Sequence, residues 1–328
     1  MCAESFPPAT GGTESVTNVV VRGLASLGHE VVLATRRHVE HAPSFEVVVN
    51  PSAFAFRQLA KRVDVIWHSQ FAPTFSWPLL GTRIPAIVTH HTWPVRNVRT
   101  RLKQSLLAGS QQVAVSTALA GAFPGAAVIP NPYDDSVFNT EGAASETGDL
   151  AFVGRLLEAK GADLAINALK ILNEHGHRCH LSIIGDGPER EALGELARKT
   201  GVADKVRFHG SQQPGDVARL LRLHSLLLIP SRRYWSEPFG VVALEGIACG
   251  CIPVGTRYGG LPGAIGHCGP LCDETPESVS DAAETLLTSP ARRLDFRRSA
   301  PAHLERHSAL AVSRAYERAF ERVLGERQ

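Results

Sequence analysis

The chain has 328 residues, a length that suits two domains. Hydrophobic residues make up 44% of the sequence and charged residues 20%, which are ordinary values for a globular protein with a sizeable core. The formal net charge is only +2 and no block of like charge stands out, so the composition argues against a nucleic-acid-binding protein and gives no strong signal for membrane binding.

Targeting and metal-binding signals are also missing from the sequence. No apolar run approaches the ~18 residues of a membrane-spanning helix, and no secretory signal is visible at the N-terminus. Neither Cys249-Gly-Cys251 nor the pair Cys268 and Cys272 has the spacing and histidine partners of a zinc site. We therefore expect a cytoplasmic protein with buried, reduced thiols and no bound metal.

The first part of the chain alternates short apolar runs with helix-period segments, which is typical of a parallel α/β sheet. Strands are predicted at residues 30–34, 46–49, 64–68, 86–89, 112–115 and 127–129, and helices at 13–27, 54–62, 98–108 and 117–123. Only five residues precede the loop that starts at Phe6, so the first strand of this sheet is expected to be short or missing. The polar segment 134–148 is predicted to be a linker.

The same alternation resumes after the linker. Strands are predicted at residues 150–153, 180–184, 206–209, 226–229 and 252–255, and helices at 162–175, 188–200, 214–223, 241–249, 278–289 and 309–324. We expect two doubly wound, Rossmann-like domains, residues 1–140 and 149–308, with a C-terminal helix within 309–328 that packs back toward the first domain. A ligand is expected in the cleft between the domains, at the carboxyl ends of the strands.

Two carboxylates bracket a predicted helix start in the run Glu237-Pro-Phe-Gly-Val-Val-Ala-Leu-Glu245. Pro238 is predicted to lie in the first helical turn, where its missing N–H is harmless. The amides around Phe239, Gly240 and Val241 would then face an anion, because a helix N-terminus presents unpaired donors. A phosphate between two hydroxyl-binding carboxylates is suited to a nucleotide sugar, whereas the plainer alternative is a solvated helix start.

Two further loops follow predicted strands of the second domain. Gly154-Arg155 precedes Lys160 by a few residues, and the guanidinium and ammonium groups can converge on one diphosphate. The loop Gly185-Asp-Gly-Pro188 would allow a ligand to approach the backbone closely. The alternative for the first loop is two surface cations beside a helix.

The first domain contributes weaker candidates. Gly11-Gly12 ends a loop before a helix whose backbone amides can hold a phosphate, although such a pair is more often only a turn. His90 and His91 end a predicted strand, where one of them can bond a sugar hydroxyl or phosphate or serve a structural role.

In this order and spacing, the motifs resemble glycosyltransferase family 4, the retaining enzymes of the GT-B fold that use nucleotide sugars. The resemblance runs through nearly the whole chain. It rests on Phe6-Pro-Pro with Gly11-Gly12, Leu27-Gly-His-Glu-Val31, Val113-Ala-Val-Ser116, Ile129-Pro-Asn131, Val153-Gly-Arg155 with Lys160-Gly161, Gly185-Asp-Gly-Pro188, Glu237-Pro-Phe-Gly240 to Glu245, and Gly259-Gly-Leu-Pro262. One departure is Gly263, which stands where the family usually has glutamate.

The resemblance implies a role for each candidate residue. Glu245 would hold the ribose hydroxyls of the nucleotide, and Glu237 with the Phe239 and Gly240 amides would bind the donor sugar. The group implied to stabilise the departing diphosphate comprises Arg155, Lys160, Gly12 and the Val241 amide, with Gly11, Gly154 and Gly185 shaping the donor loops. His91 matches the family histidine near the donor sugar. Catalysis would rest on positioning and charge stabilisation, with no metal or other cofactor.

The resemblance therefore implies a retaining hexosyltransferase that uses a nucleotide diphosphate sugar, with UDP expected over GDP. Its acceptor would be a hydroxyl of a soluble small molecule rather than a lipid-linked one, since the first domain shows no basic amphipathic face. Two alternatives stay open at this point. One is a GT-B sugar-nucleotide epimerase or phosphorylase, and the other is a non-catalytic GT-B scaffold that binds partners.

Overall fold

The computed structural model describes residues 1–3, 12–37, 45–70, 73–79, 81–94, 109–141 and 149–325. Gly11 and the predicted helix at residues 98–108 lie outside these residues. The chain folds into two units: unit 1 comprises Met1–Asp134 and His307–Gln328, and unit 2 comprises Asp135–Arg306. Each unit contains a parallel sheet with helices, so the predicted α/β architecture is confirmed.

The first sheet belongs to unit 1. Its strands are β1 (Cys2–Ala3), β2 (Val32–Thr35), β3 (Glu46–Val49), β4 (Ile66–His68), β5 (Ala86–His90), β6 (Gln111–Ala114) and β7 (Ala127–Val128), in the spatial order β3-β2-β1-β4-β5-β6-β7. β1 has two residues, yet it lies at the centre of the sheet between β2 and β4. The expectation of a short first strand is thus confirmed, and the sheet does contain that strand.

The second sheet belongs to unit 2. Its strands are β8 (Leu150–Val153), β9 (Leu181–Ile184), β10 (Val206–Gly210), β11 (Leu226–Ile229), β12 (Ile252–Thr256) and β13 (Leu271–Cys272), in the spatial order β10-β9-β8-β11-β12-β13. Four of these, β8, β9, β11 and β12, consist mostly of buried apolar residues, as expected for a parallel sheet covered by helices. The edge strand β13 has only two residues, too short for its apolar pattern to be read from sequence.

Helices connect and cover the strands. They are α1 (Gly12–Ser26), α2 (Ala53–Ala60), α3 (Pro73–Ser76), α4 (Thr117–Ala120), α5 (Ala162–Glu174), α6 (Arg190–Lys199), α7 (Pro214–Leu221), α8 (Val241–Ala248), α9 (Leu261–Ile265), α10 (Pro276–Thr288), α11 (Pro290–Arg306) and α12 (Ala309–Gly325). Within the described part of the chain, no helix is long and apolar enough to cross a membrane.

Each unit has its own core. In unit 1, helices α1 and α12 pack together, and Leu24 shares a buried cluster with Trp67, Tyr316 and Phe320. In unit 2, the leucine and isoleucine side chains of the inner strands pack against α5 and α10. Burial of apolar surface at about 25 cal/mol per Å² is the main term that holds such layers together.

Three helices of the described residues were not predicted from the sequence, and the first of them, α3, has only four residues. α9 has five residues, and a helix this short shows no clear apolar period. α11 is a polar helix with five arginines and an internal Pro301, so neither its composition nor its periodicity indicates a buried face. The helix predicted at 278–289 corresponds to α10, and its end was predicted to within one residue. α10 begins earlier than predicted, at Pro276, because Thr275 caps it by accepting a hydrogen bond from the Ser278 amide.

Candidate functional site

The strand order of unit 2 creates a crevice at one point of its sheet. From β8 the chain continues to β9 and β10 on one side, whereas β11, β12 and β13 lie on the other side. The loops that leave β8 and β11 therefore turn away from each other, and ligands of open α/β sheets bind at such a switch point. Lys160 follows β8, and Glu237 follows β11.

Lys160 and Glu237 form an ion pair at this point of the sheet. The Nζ atom of Lys160 donates a hydrogen bond to Oε1 of Glu237, and the Ser231 hydroxyl donates to the same oxygen at 3.2 Å. The side chains of Lys160 and Glu237 are 27% and 14% exposed, so the pair is largely shielded from water. The structure thus joins two groups that the sequence assigned separately, one to a diphosphate and the other to a sugar.

Ser231 is itself fixed by the neighbouring strand. Its carbonyl accepts a hydrogen bond of 2.7 Å from the Thr256 hydroxyl at the end of β12, and both residues are buried. Because the Ser231 hydroxyl cannot move far, it holds the Glu237 carboxylate in one orientation. Ser231 was not predicted as a site residue, since a single serine after a strand carries no distinctive spacing.

The helix that follows Glu237 begins at Val241, as its predicted bounds have it, but the backbone before it differs from the expectation. Gly240 adopts a left-handed conformation, with φ at 97°, and caps α8, which starts at Val241. Pro238 therefore lies before the helix, and its predicted place in the first turn was wrong. The reason is local: the left-handed Gly240 breaks the helical backbone between Pro238 and Val241. Phe239 is buried.

The Gly259-Gly260 turn supports the Glu237 loop through backbone contact. The Gly260 amide donates a hydrogen bond of 2.7 Å to the Glu237 carbonyl. A Cβ atom on Gly259 would lie 2.4 Å from that same carbonyl oxygen, and one on Gly260 would lie 2.3 Å from the Pro238 oxygen. These glycines are needed because no side chain fits between the two backbones.

Glu245 lies further along α8, in its second turn, and is half-buried. It stands on the same short helix whose N-terminus follows the Glu237 loop. Glu245 also interacts with other residues of the protein. The two glutamates therefore differ in setting: Glu237 lies on a loop braced by β12, whereas Glu245 is carried by a helix.

The loops after β8 and β9 are fastened to each other. The Leu156 amide donates a hydrogen bond of 2.9 Å to the Asp186 carbonyl. A Cβ atom on Gly185, whose φ is 139°, would lie 1.9 Å from the Gly154 oxygen. Close packing of the two loops thus explains Gly185 without a ligand. Arg155 is exposed, and its guanidinium makes no hydrogen bond or ion pair with the residues that the structure describes.

The candidate residues of unit 1 lie in a different setting. Gly12 is the exposed first residue of α1. His90 lies 2.7 Å from the Gln112 side-chain oxygen and stacks on Phe123 at a ring distance of 3.6 Å, which indicates a structural role. His91 is buried, and neither ring nitrogen has a hydrogen-bond partner among the described residues.

Burial determines the charge of His91. Desolvation, with a smaller effect of the neighbouring His90 charge, lowers the pKa of His91 to about 4. The ring is therefore neutral near pH 7, with one nitrogen able to donate and the other able to accept a hydrogen bond. This makes His91 a candidate hydrogen-bonding group rather than a cation.

The turn Arg233–Trp235 lies between β11 and Glu237 and was not singled out from the sequence. Its two aromatic side chains, Tyr234 and Trp235, are 63% and 64% exposed. Over the residues that the structure describes, no group of three or more histidine, cysteine, aspartate or glutamate side chains could hold a metal ion. All six cysteines are buried and free.

The family match of this chain lies within unit 2. The profile of the family described as "Glycosyl transferases group 1" matches residues 135–303, which is just over half of the chain. A relative from Corynebacterium jeikeium (strain K411), named D-inositol 3-phosphate glycosyltransferase, is 33% identical over 202 residues, or 57% of this chain and 48% of its own length. The chain spans about half the length of the curated relatives it matches.

Solved structures match over both units. AviGT4, a glycosyltransferase involved in avilamycin A biosynthesis, has a TM-score of 0.73 at 25% identity and covers 97% of this chain and 91% of its own. HepE from Anabaena in complex with UDP has a TM-score of 0.80 at 17% identity, with 98% of each chain covered. These likenesses confirm the predicted GT-B fold.

Proposed function

The chain belongs to the group 1 glycosyl transferases, and on that premise we propose that it is a retaining glycosyltransferase. It moves a hexose-type sugar from a nucleotide diphosphate sugar to an acceptor hydroxyl. The observation that carries the proposal is the Lys160–Glu237 pair at the switch point of the unit 2 sheet. A cation suited to a diphosphate lies beside a carboxylate suited to sugar hydroxyls, at the point where an α/β sheet binds ligands.

Charge stabilisation is the main chemical task of these residues. As the bond between the sugar C1 and the diphosphate oxygen breaks, negative charge develops on the diphosphate. The Lys160 ammonium, the exposed Arg155 guanidinium and the backbone amide of Val241 stabilise that charge. Positive charge on these side chains does the work that a metal ion does in other enzymes, so the proposal includes no metal or other cofactor.

The remaining residues position the donor. Glu237, oriented by Ser231, accepts hydrogen bonds from hydroxyls of the donor sugar, and Glu245 accepts them from the ribose. His91 offers its neutral ring to the donor sugar. The acceptor oxygen forms a bond to C1 on the face that the diphosphate leaves, and its proton passes to the departing phosphate oxygen. No enzymatic nucleophile is needed, since the acceptor and donor are held in contact.

The substrates follow from the family resemblance and the relatives. UDP is proposed as the nucleotide in preference to GDP because UDP-sugars are the commoner donors in the family that the sequence resembles. The relatives named D-inositol 3-phosphate glycosyltransferase support a small, soluble polyol or sugar phosphate as the acceptor. A lipid-linked acceptor is the alternative.

The test combines donor binding with two variants. Thermal unfolding with a panel of UDP- and GDP-sugars should show stabilisation by one of them, because a ligand that binds only the folded state raises the melting point. With that donor, Lys160→Ala and Glu245→Ala should abolish transfer while the protein remains folded. Lys170→Ala, which removes an exposed lysine of α5 paired with Glu174, is the matched control and should keep full activity.

The outcome separates the proposal from its rivals. Full transfer activity in Lys160→Ala or Glu245→Ala would show that the site is assigned wrongly. Conversion of the nucleotide sugar without an acceptor would indicate an epimerase, and dependence on inorganic phosphate a phosphorylase. Absence of any nucleotide binding would indicate a non-catalytic scaffold. Unchanged turnover after chelation with EDTA is expected if no metal takes part.

A further inference from the structure

Arg232 connects the end of β11 with the loop that carries Lys160. Its guanidinium donates two hydrogen bonds to Asp163, from Nη1 to Oδ1 at 2.9 Å and from Nη2 to Oδ2 at 2.7 Å. Nη1 also donates to the Glu158 carbonyl at 2.9 Å, and the Arg232 backbone amide donates to the Ala159 carbonyl at 2.9 Å. These contacts hold the residues on both sides of Lys160 in place.

The geometry of this contact is more demanding than that of an ordinary surface ion pair. The Arg232 and Asp163 side chains are 19% and 33% exposed, whereas those of Arg257 and Asp273, another pair of unit 2, are 51% and 55% exposed. The hydrogen bonds that Arg232 donates to Asp163 raise the pKa of its guanidinium above the ordinary value. A planar fork that bonds both carboxylate oxygens fixes distance and angle together, which a lysine cannot do.

Lys160 depends on such support because its own side chain is long and flexible. It reaches Glu237 only from a backbone held at the right place, in the turn Glu158–Lys160 that ends where α5 begins. We propose that Arg232 and Asp163 are positioning residues that hold the Lys160 ammonium where it meets the diphosphate of the donor. This inference rests on the proposed function, since it assumes that Lys160 binds phosphate.

The test compares a nucleotide that carries phosphate with one that does not. Calorimetry with UDP and uridine, and in parallel with GDP and guanosine, is carried out on the full chain. Arg232→Lys keeps the charge but loses the fork, so it should weaken binding of the nucleoside diphosphate by about tenfold, the equivalent of about one charge-assisted hydrogen bond. Binding of the nucleoside should stay within about twofold of the wild-type value.

Two matched variants make the result specific. Arg257→Lys alters the exposed ion pair and should bind both ligands like the wild type. Asp163→Asn removes the carboxylate at nearly constant size, and the same selective loss is expected, which keeps the test valid if Arg232→Lys folds poorly. If Arg232 acts through Lys160, adding Arg232→Lys to Lys160→Ala should cause no further loss of diphosphate affinity.

Failure of the positioning role can be distinguished from failure of the proposed function. If the wild type binds neither diphosphate, the proposed function fails and the positioning role fails with it. If the wild type binds one and both Arg232→Lys and Asp163→Asn bind it equally well, only the positioning role is refuted. An equal loss of nucleoside and diphosphate, or an additive loss in the double variant, would also refute it, since either result shows a general structural effect.

Discussion

Replacement of Gly161 by alanine should destabilise unit 2 and impair the Lys160 loop at the same time. Gly161 stands between the turn that carries Lys160 and helix α5, with a left-handed φ of 72°. A Cβ atom at this position would lie 2.1 Å from the carbonyl oxygen of Pro230. That oxygen belongs to the backbone just after β11, so it cannot rotate away as a flexible side chain would.

Two costs combine in this variant. A left-handed backbone costs an L-residue about 1–2 kcal/mol relative to glycine. Forcing an extra carbon into a packed position costs about 1–3 kcal/mol more. We therefore expect Gly161→Ala to lower the free energy of unfolding by about 3 kcal/mol, a large part of the stability of an ordinary domain.

Two other glycines of the same unit separate these costs. Gly176, with φ at 93°, has nothing within 4 Å of its ideal Cβ position, so Gly176→Ala should show only the backbone cost of about 1–2 kcal/mol. Gly194 lies inside helix α6 with equally open space and no left-handed backbone. Gly194→Ala should stabilise the protein by about 1 kcal/mol, the difference in helix propensity.

The measurement is urea unfolding of the intact chain, with transfer activity measured on each folded variant. All three glycines lie in unit 2, so the same unfolding transition should respond to each. The expected order of stability is Gly194→Ala above the wild type, then Gly176→Ala, then Gly161→Ala. If Gly161→Ala proved no less stable than Gly176→Ala, the contact with Pro230 would not constrain the loop.

Two further predictions concern stability. His175 and His177 both contact the Glu284 carboxylate at 2.9 Å. These contacts raise the pKa of His175 above 6.5 and lower the pKa of Glu284 below 4.5. The folded state is therefore stabilised between these two values, and this stabilisation is lost as the pH rises through the raised His175 pKa or falls through the lowered Glu284 pKa. In Glu284→Gln, the urea midpoint should change less between about pH 6 and about pH 8 than in the wild type, and an unchanged profile would argue against this linkage. In unit 1, the Thr89 hydroxyl lies 2.9 Å from the indole nitrogen of Trp67 and 3.0 Å from the Tyr316 hydroxyl. Tyr316→Phe should cost about 1 kcal/mol, whereas Thr89→Val should cost about 3 kcal/mol because it leaves two buried groups unpaired; equal losses in urea unfolding would contradict this reasoning.

The inner strands of unit 2 were predictable because their residues are buried on both faces. The runs at β8 and β11 match their predicted bounds, since continuous apolar β-branched and leucine-rich segments between turn signals leave few alternatives. β1 was harder because two residues carry almost no pattern; its place comes from pairing on both sides with longer strands, which is a tertiary effect. The polar helix α11 escaped prediction for a similar reason, since its position depends on packing rather than on its own periodicity.

The sequence predicts which loops carry the candidate site, but it does not predict which side chains of those loops contact each other. Sequence order places Lys160 after one strand and Glu237 after another, and the rule for parallel sheets brings both loops to one edge. Direct pairing of the two charges depends on side-chain conformation, and the partners Ser231 and Arg232 have no spacing that distinguishes them. Gly259 and Gly260 were read only as family markers, and the structure shows that they pack closely against the backbone of the Glu237 loop.

The site of unit 2 draws its residues from three adjacent strands, and this explains why its variants can be separated from unfolding. Lys160 follows β8, Glu237 follows β11, and the supporting glycine turn follows β12. The register of these strands is fixed by buried pairs such as Leu226 with Leu150 and Leu226 with Ile252, which lie inside the core. A substitution in one loop therefore displaces one charged group, whereas the sheet keeps the other groups of the site in place. Activity and diphosphate binding should respond to such a change well before the sheet itself loses stability.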